Sequence, residues 1–138
     1  MITEDYVSFE TAKILKEKGF NVCCLMQYLD NEHPFLADRR DECGCYYKNS
    51  ELASDEYSAP TLQMAMKWIR EKGFHIFSPM EIDFDEDERG EKWYHDATYY
   101  PEIIRVSDGK IMYDDGSLYA EPEQACEAAI KYCLENMI

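Results

Sequence analysis

The tetrapeptide Glu-Lys-Gly-Phe closes two separate amphipathic stretches, as Glu17-Lys18-Gly19-Phe20 and as Glu71-Lys72-Gly73-Phe74, and it dictates where two helices stop. A basic last turn, a glycine just past the cap and an apolar residue after it form a helix terminator. The residues ahead of the two copies do not align, so the match is a shared stop and not an internal repeat. Each copy predicts a strand beginning at its phenylalanine.

Three helices follow from the apolar spacing. Ser8 is a suitable N-cap for the first, which carries Phe9, Ala12 and Leu15 on one side. The second is predicted from near Ser58, with Pro60 tolerated in its first turn. Leu62, Ala65, Met66 and Ile69 form its core-facing stripe, widened by Met64 and Trp68. The third runs from Pro122 to the end of the chain, with Cys126, Ala129, Ile130, Cys133 and Met137 on one face.

Strand patterns occupy most of the remainder. Alternation predicts strands over 20–28, 74–84 and 92–100, the last with Trp93, His95, Ala97 and Tyr99 on one face. Segments 103–106 and 110–113 flank Ser107-Asp108-Gly109, a strong hairpin signal, and a second Asp-Gly at Asp115-Gly116 turns the chain toward the last helix. Tight turns between consecutive strands imply an α+β fold, an antiparallel sheet of about four to five strands with three helices packed on it. With 138 residues, 46% of them apolar, the chain suits one domain over 1–138. The polar stretch 30–57 reads as a long loop within it, of the kind that is functional, disordered or hides a short helix, for which 33–37 could be the start.

Charge bounds the function. Asp and Glu number 29 against 14 Lys and Arg, a net charge of −15 that repels phosphates and acidic membranes and attracts basic proteins. No basic stripe exists for direct nucleic-acid binding. The longest apolar run, Val22 to Met26, is far short of the ~20 residues of a membrane span. The acidic start Met1-Ile-Thr-Glu-Asp-Tyr does not read as an export signal, so a cytoplasmic setting is expected and the six cysteines are not expected to form a disulfide framework.

Glu81, Asp83, Asp85 and Asp87 alternate with Met80, Ile82 and Phe84 along one predicted strand. Carboxylates so placed lie about 6.6–6.8 Å apart on one face. Such a row can dock a basic partner or imitate a phosphate backbone; equally, it can be a solvated edge that charge guards against sheet-to-sheet pairing. Tyr94 and Tyr99 belong to a nearby aromatic cluster from which outward tyrosines would anchor a protein partner. An EF-hand from Asp83 would want glycine and glutamate where Glu88 and Tyr94 stand. Zinc from Cys23, Cys24, Cys43 and Cys45, with His33 in reserve, would need adjacent cysteines and a Cys-x-Cys pair to chelate one ion, which their spacing makes awkward, so neither metal nor cofactor is assigned. The expected function is therefore non-enzymatic engagement of a basic protein through Glu81, Asp83, Asp85, Asp87, Tyr94 and Tyr99. The alternative is a small enzyme using His75 and His95, which could meet across neighbouring strands, or the Cys43/Cys45 loop.

Segments 6–20, 57–71 and 128–138 resemble a group of small acidic proteins of gut anaerobic bacteria and their prophages or other mobile elements. That resemblance implies a mobile-element setting and supplies no site residue.

Overall fold

The computed structural model describes residues 2–40, 43–114 and 116–138. The chain runs α1 (Phe9–Glu17), β1 (Met26–Leu29), β2 (Phe35–Asp38), a 3-10 turn (Asn49–Glu51), β3 (Tyr57–Ala59), α2 (Leu62–Glu71), β4 (Phe74–Phe77), β5 (Met80–Glu86), β6 (Lys92–Tyr99), β7 (Glu102–Arg105), β8 (Ile111–Tyr113) and α3 (Pro122–Asn136). The class is α+β, with antiparallel pairing throughout. In place of one sheet there are three small ones, ordered β2-β1-β3, β4-β7-β8 and β5-β6.

Both helix terminators act as the sequence requires. At the first, the Phe20 N–H donates to the Leu15 carbonyl (2.9 Å) and the Gly19 N–H to that of Lys16 (3.1 Å), with Gly19 at φ 92°. Ser8 caps the start of α1, its Oγ accepting the Thr11 N–H at 3.2 Å. Glu127 of α3 reaches the same end, where its Oε1 accepts from the Ser8 N–H (3.0 Å) and the Thr11 hydroxyl (2.6 Å). A carboxylate at a helix N-terminus also meets the positive end of the macrodipole. One side chain thus ties α3 to α1, 119 positions away in sequence.

The core fills the space between the helices and the two larger sheets. Val7, Leu15, Phe20, Ile69, Ile103, Ile130, Cys133 and Leu134 are buried in one cluster. Each large aliphatic or aromatic side chain there contributes about 1.5–3 kcal/mol. Phe20 meets Trp68 edge to face, and Phe9 does the same with Tyr28 and Tyr57, all at 5.6 Å between centroids.

Four expectations fail, each for an identifiable reason. Helix α2 starts at Leu62 behind a Thr61 cap and not near Ser58, because Pro60 disfavours helical backbone at Ala59 and leaves Tyr57–Ala59 to pair with β1. The strand expected over 20–28 forms only from Met26: Asn49 Nδ2 donates to the Phe20 carbonyl (2.8 Å) and the Asn21 side-chain Oδ1 accepts the Ser50 N–H (2.9 Å), so the 3-10 turn engages residues 20 and 21. The helix expected from His33 is instead strand β2. Asp30, at φ 62°, accepts the Glu32 and His33 N–H groups (3.1 and 3.2 Å) in a tight turn that lays Phe35 opposite Leu29. The strand expected over 74–84 is broken at Ser78-Pro79. At Asp115-Gly116, Asp115 lies outside the described residues, while the Gly116 N–H donates to Asp114 Oδ1 at 3.2 Å.

That last break shapes the molecule. Pairing of β4 with β7 ends at Phe77↔Glu102, and that of β5 with β6 begins at Met80↔Tyr99. Three residues on from one partner and three back from the other, the register has not slipped. Residues 74–105 are therefore one long hairpin, interrupted where Pro79 and Pro101 each remove a backbone donor. The Tyr100 N–H to Pro79 carbonyl bond (3.2 Å) spans the gap. The inner half lies in the core sheet beneath α2 and α3, and the outer half projects as a two-stranded ribbon.

Replacing Glu127 by alanine is expected to cost about 1–3 kcal/mol, since it strips the Ser8 N–H and the Thr11 hydroxyl of their shared acceptor. Urea unfolding midpoints of the two proteins measure it; an unchanged midpoint would show that the α1–α3 tie contributes nothing.

Candidate functional site

The ribbon carries the residues singled out by the sequence and sorts them onto two faces. All seven residues of β5 are exposed, as are those of β6 from Lys92 to Asp96. Directly paired residues share a face. On one face Met80, Ile82 and Phe84 stand with Tyr99, Ala97 and Tyr94 as their partners. Phe84 is 56% exposed and Tyr94 62%. On the other face Glu81 pairs with Thr98, Asp83 with Asp96 and Asp85 with Trp93.

A β-bulge decides that sorting. The register shifts between Asp83 and Phe84, leaving His95 as an extra residue on β6. His95 consequently turns to the acidic face, where its Nδ1 lies 2.8 Å from Asp85 Oδ2. Trp93 and His95 therefore do not share a face with Ala97 and Tyr99, as plain alternation predicted. The register carried out from the root, ahead of the bulge, sets Asp96 opposite Asp83 and makes it a fourth carboxylate on this face. Like charges opposed across a ladder are unfavourable, and both are exposed, so the pair adds to the negative field of the face.

Asp87 leaves the row. β5 ends at Glu86, and Asp87 Oδ1 accepts the N–H groups of Arg89 and Glu91, both at 2.9 Å, which fastens the ribbon's turn. The three aspartates that open an EF-hand-like motif are thereby divided between a flat row and a turn. Tyr94 and Tyr99 lie on the face opposite Glu81, Asp83 and Asp85. Tyr99 is half-buried and is held at the ribbon's root by paired backbone bonds with Tyr119, at 2.8 and 2.7 Å.

The residues expected for catalysis do not converge. His75 sits on β4 opposite Ile104 and stacks on Phe77 at 5.7 Å, whereas His95 is far out on the ribbon in another sheet. The two are not on neighbouring strands. A groove of about 460 Å³ beside α2 includes His75, Met64, Met66, Arg70 and Cys126, and among the described residues no carboxylate lines it to orient the imidazole. Burial pushes the Cys24 and Cys133 thiols up to about 12, so neither is a thiolate at neutral pH. Cys23 is exposed while its neighbour Cys24 is buried, so the two cannot face one ion; Cys43 and Cys45 are exposed on their loop. Among the described residues no group of three or more His, Cys, Asp and Glu side chains is placed to hold a metal ion, and no helix is long and apolar enough to cross a membrane.

Carboxylates also gather at the ribbon's root. A cavity of about 370 Å³ there is lined by Met80, Glu81, Tyr100, Asp114, Gly116 and Leu118. Glu102, buried opposite Phe77, is held above the ordinary carboxylate range by desolvation and then by the charge of Asp114. In the β7–β8 turn, hydrogen bonds from Arg105 and from the Lys110 N–H bring Asp108 down to about 2.

Compared with known proteins, the chain matches no family model, no curated protein and no solved structure.

The Glu102 environment has a pH signature. A carboxyl whose folded pKa is raised weakens the fold above that pKa and not below the unfolded value. Glu102→Gln is therefore expected to raise the thermal midpoint at neutral pH, with the gain shrinking as pH falls through the raised pKa and gone by about pH 3.5. Parallel melting of both proteins across that range checks it; a gain independent of pH would remove the buried charge as its cause.

Proposed function

We propose that this chain is a non-enzymatic interaction protein whose β5–β6 ribbon engages a basic protein partner, in the mobile-element setting implied by the resemblance of its helices. The observation that carries this reading is the ribbon itself. A two-stranded arm with both faces exposed is marginal on its own terms, and it gives the core almost nothing. What it presents is a recognition surface. Glu81, Asp83, Asp85 and Asp96 steer a cationic partner from a distance, and Phe84 and Tyr94 on the reverse face supply large apolar side chains of the kind that dominate interface energetics.

Imitation of a phosphate backbone is the narrower form of the proposal. Three carboxylates on alternate positions, about 6.6–6.8 Å apart, offer a regular anionic row to a protein built to grip nucleic acid. The enzyme reading has no comparable support, since His75 and His95 occupy separate sheets.

Glu81→Lys, Asp83→Lys and Asp85→Lys together are expected to abolish capture of basic proteins, as opposed charges become like charges, and the wild-type interaction is expected to weaken steeply with added salt. Pull-down of defined basic proteins with both forms measures it, with duplex DNA as competitor for the mimicry version. Capture insensitive to both charge reversal and salt would sink the reading.

A further inference from the structure

Among the described residues the outer edge of β5 has no ladder partner, and the direction of its backbone groups can be assigned. The Tyr100 N–H donates to the Pro79 carbonyl (3.2 Å) and the Asp87 N–H to the Glu91 carbonyl (3.0 Å), both between the arms of the hairpin. Odd-numbered residues of this strand therefore direct N–H and C=O toward β6. Alternation turns those of Met80, Ile82 and Phe84 the other way. Tyr99 agrees, because it faces Met80 yet exchanges its backbone bonds with Tyr119. Among the described residues β5 pairs with β6 alone. The outer edge of β6 is closed at its root by Tyr119 and bent at its bulge, so β5 is the straight, continuous edge of the ribbon.

We infer that this edge is extended by a strand of the basic partner, an extended segment that alternates lysine or arginine with apolar residues. The inference rests on the reading of the ribbon as a partner surface and specifies how that surface is used. An added strand places its directly opposed residues on the same faces as those of β5. Cations would then lie across from Glu81, Asp83 and Asp85, and apolar side chains across from Met80, Ile82 and Phe84. The partner's pattern is thus the charge complement of the strand already present. A second copy of this chain is the wrong occupant, because antiparallel self-pairing about Asp83 opposes acid to acid, between molecules that each carry −15. Proline, lysine and a bulge are common guards of an edge, and β5 contains none of them. Its acids repel only strands of like charge.

Fluorescence anisotropy on the full chain tests this with two labelled peptides of one composition, lysine and valine alternating or in separate blocks, each as long as β5. The alternating peptide is expected to bind about tenfold or more tightly, the difference being one or two ladder hydrogen bonds with their paired side chains. N-methylation at every second residue is expected to abolish its binding in one parity and spare it in the other. Ile82→Pro is expected to lose about tenfold more affinity than Ile82→Ala, because the Ile82 N–H points away from β6 and its removal spares the ribbon ladder. Should Ile82→Pro fail to fold, the methylated peptides on the unaltered protein decide the matter. Equal binding of alternating and blocked peptides, unchanged binding of both methylated forms, or no binding of any peptide overturns strand addition. If the two peptides bind equally and both are lost on charge reversal at Glu81, Asp83 and Asp85, the acidic-face reading stands while strand addition falls.

Discussion

The unbroken register from Phe74↔Arg105 out to the ribbon is the constraint on which the rest of the structure depends. It makes two sheets out of one hairpin. The inner half is covered by α2 and α3 and carries Ile76 and Ile103 into the core. The outer half inherits its direction from that anchored root and needs no packing of its own to hold its place. Two prolines, on opposite strands and near the same point, separate these environments without changing which residue faces which. A slip of one residue at the root would exchange the acidic and apolar faces of the ribbon along its whole length.

The helical scaffold does a different job. Glu127, anchored in α3, accepts from the first turn of α1, and Lys131 of the same helix reaches Glu10 at 2.7 Å. The Glu127 contacts, at a part-buried carboxylate, fix one helix against the other. The exposed Lys131–Glu10 pair adds little by comparison, since surface ion pairs are screened by water. Helix α3 packs against both α1 and α2, and the apolar stripe of α2 closes the core above β4. The protein's acidity thus divides into two kinds. A few carboxylates, Glu127 and Glu102 among them, are built into the body, and the larger number stand on the outside.

Wherever a single local rule decided the outcome, the fold was legible in the sequence. Ser8, Gly19 and Gly73 bound their helices as capping chemistry requires, and Asp108-Gly109 makes the β7–β8 turn. Legibility failed where a distant group competed for the backbone. Nothing near Phe20 in sequence announces that Asn49 will occupy its carbonyl. The site was half legible. Alternation correctly separated Glu81, Asp83 and Asp85 from Met80, Ile82 and Phe84. It could not place the facing strand, because one bulged residue, His95, reverses the faces of Trp93 and Tyr94 relative to Ala97 and Tyr99. Asp87 was misplaced for a related reason: an aspartate at the end of a strand looks the same in sequence whether it continues a row or closes a turn.

The proline break has one more consequence. The residues beyond Pro79 and before Tyr99 are excused from the jigsaw fit that restrains a core position, so most exchanges along that arm should leave folding untouched. On the proposed reading of the ribbon as a partner surface, such exchanges would alter which molecule it engages. The body can therefore keep its packing while the tip accepts changes of charge and shape without risking collapse.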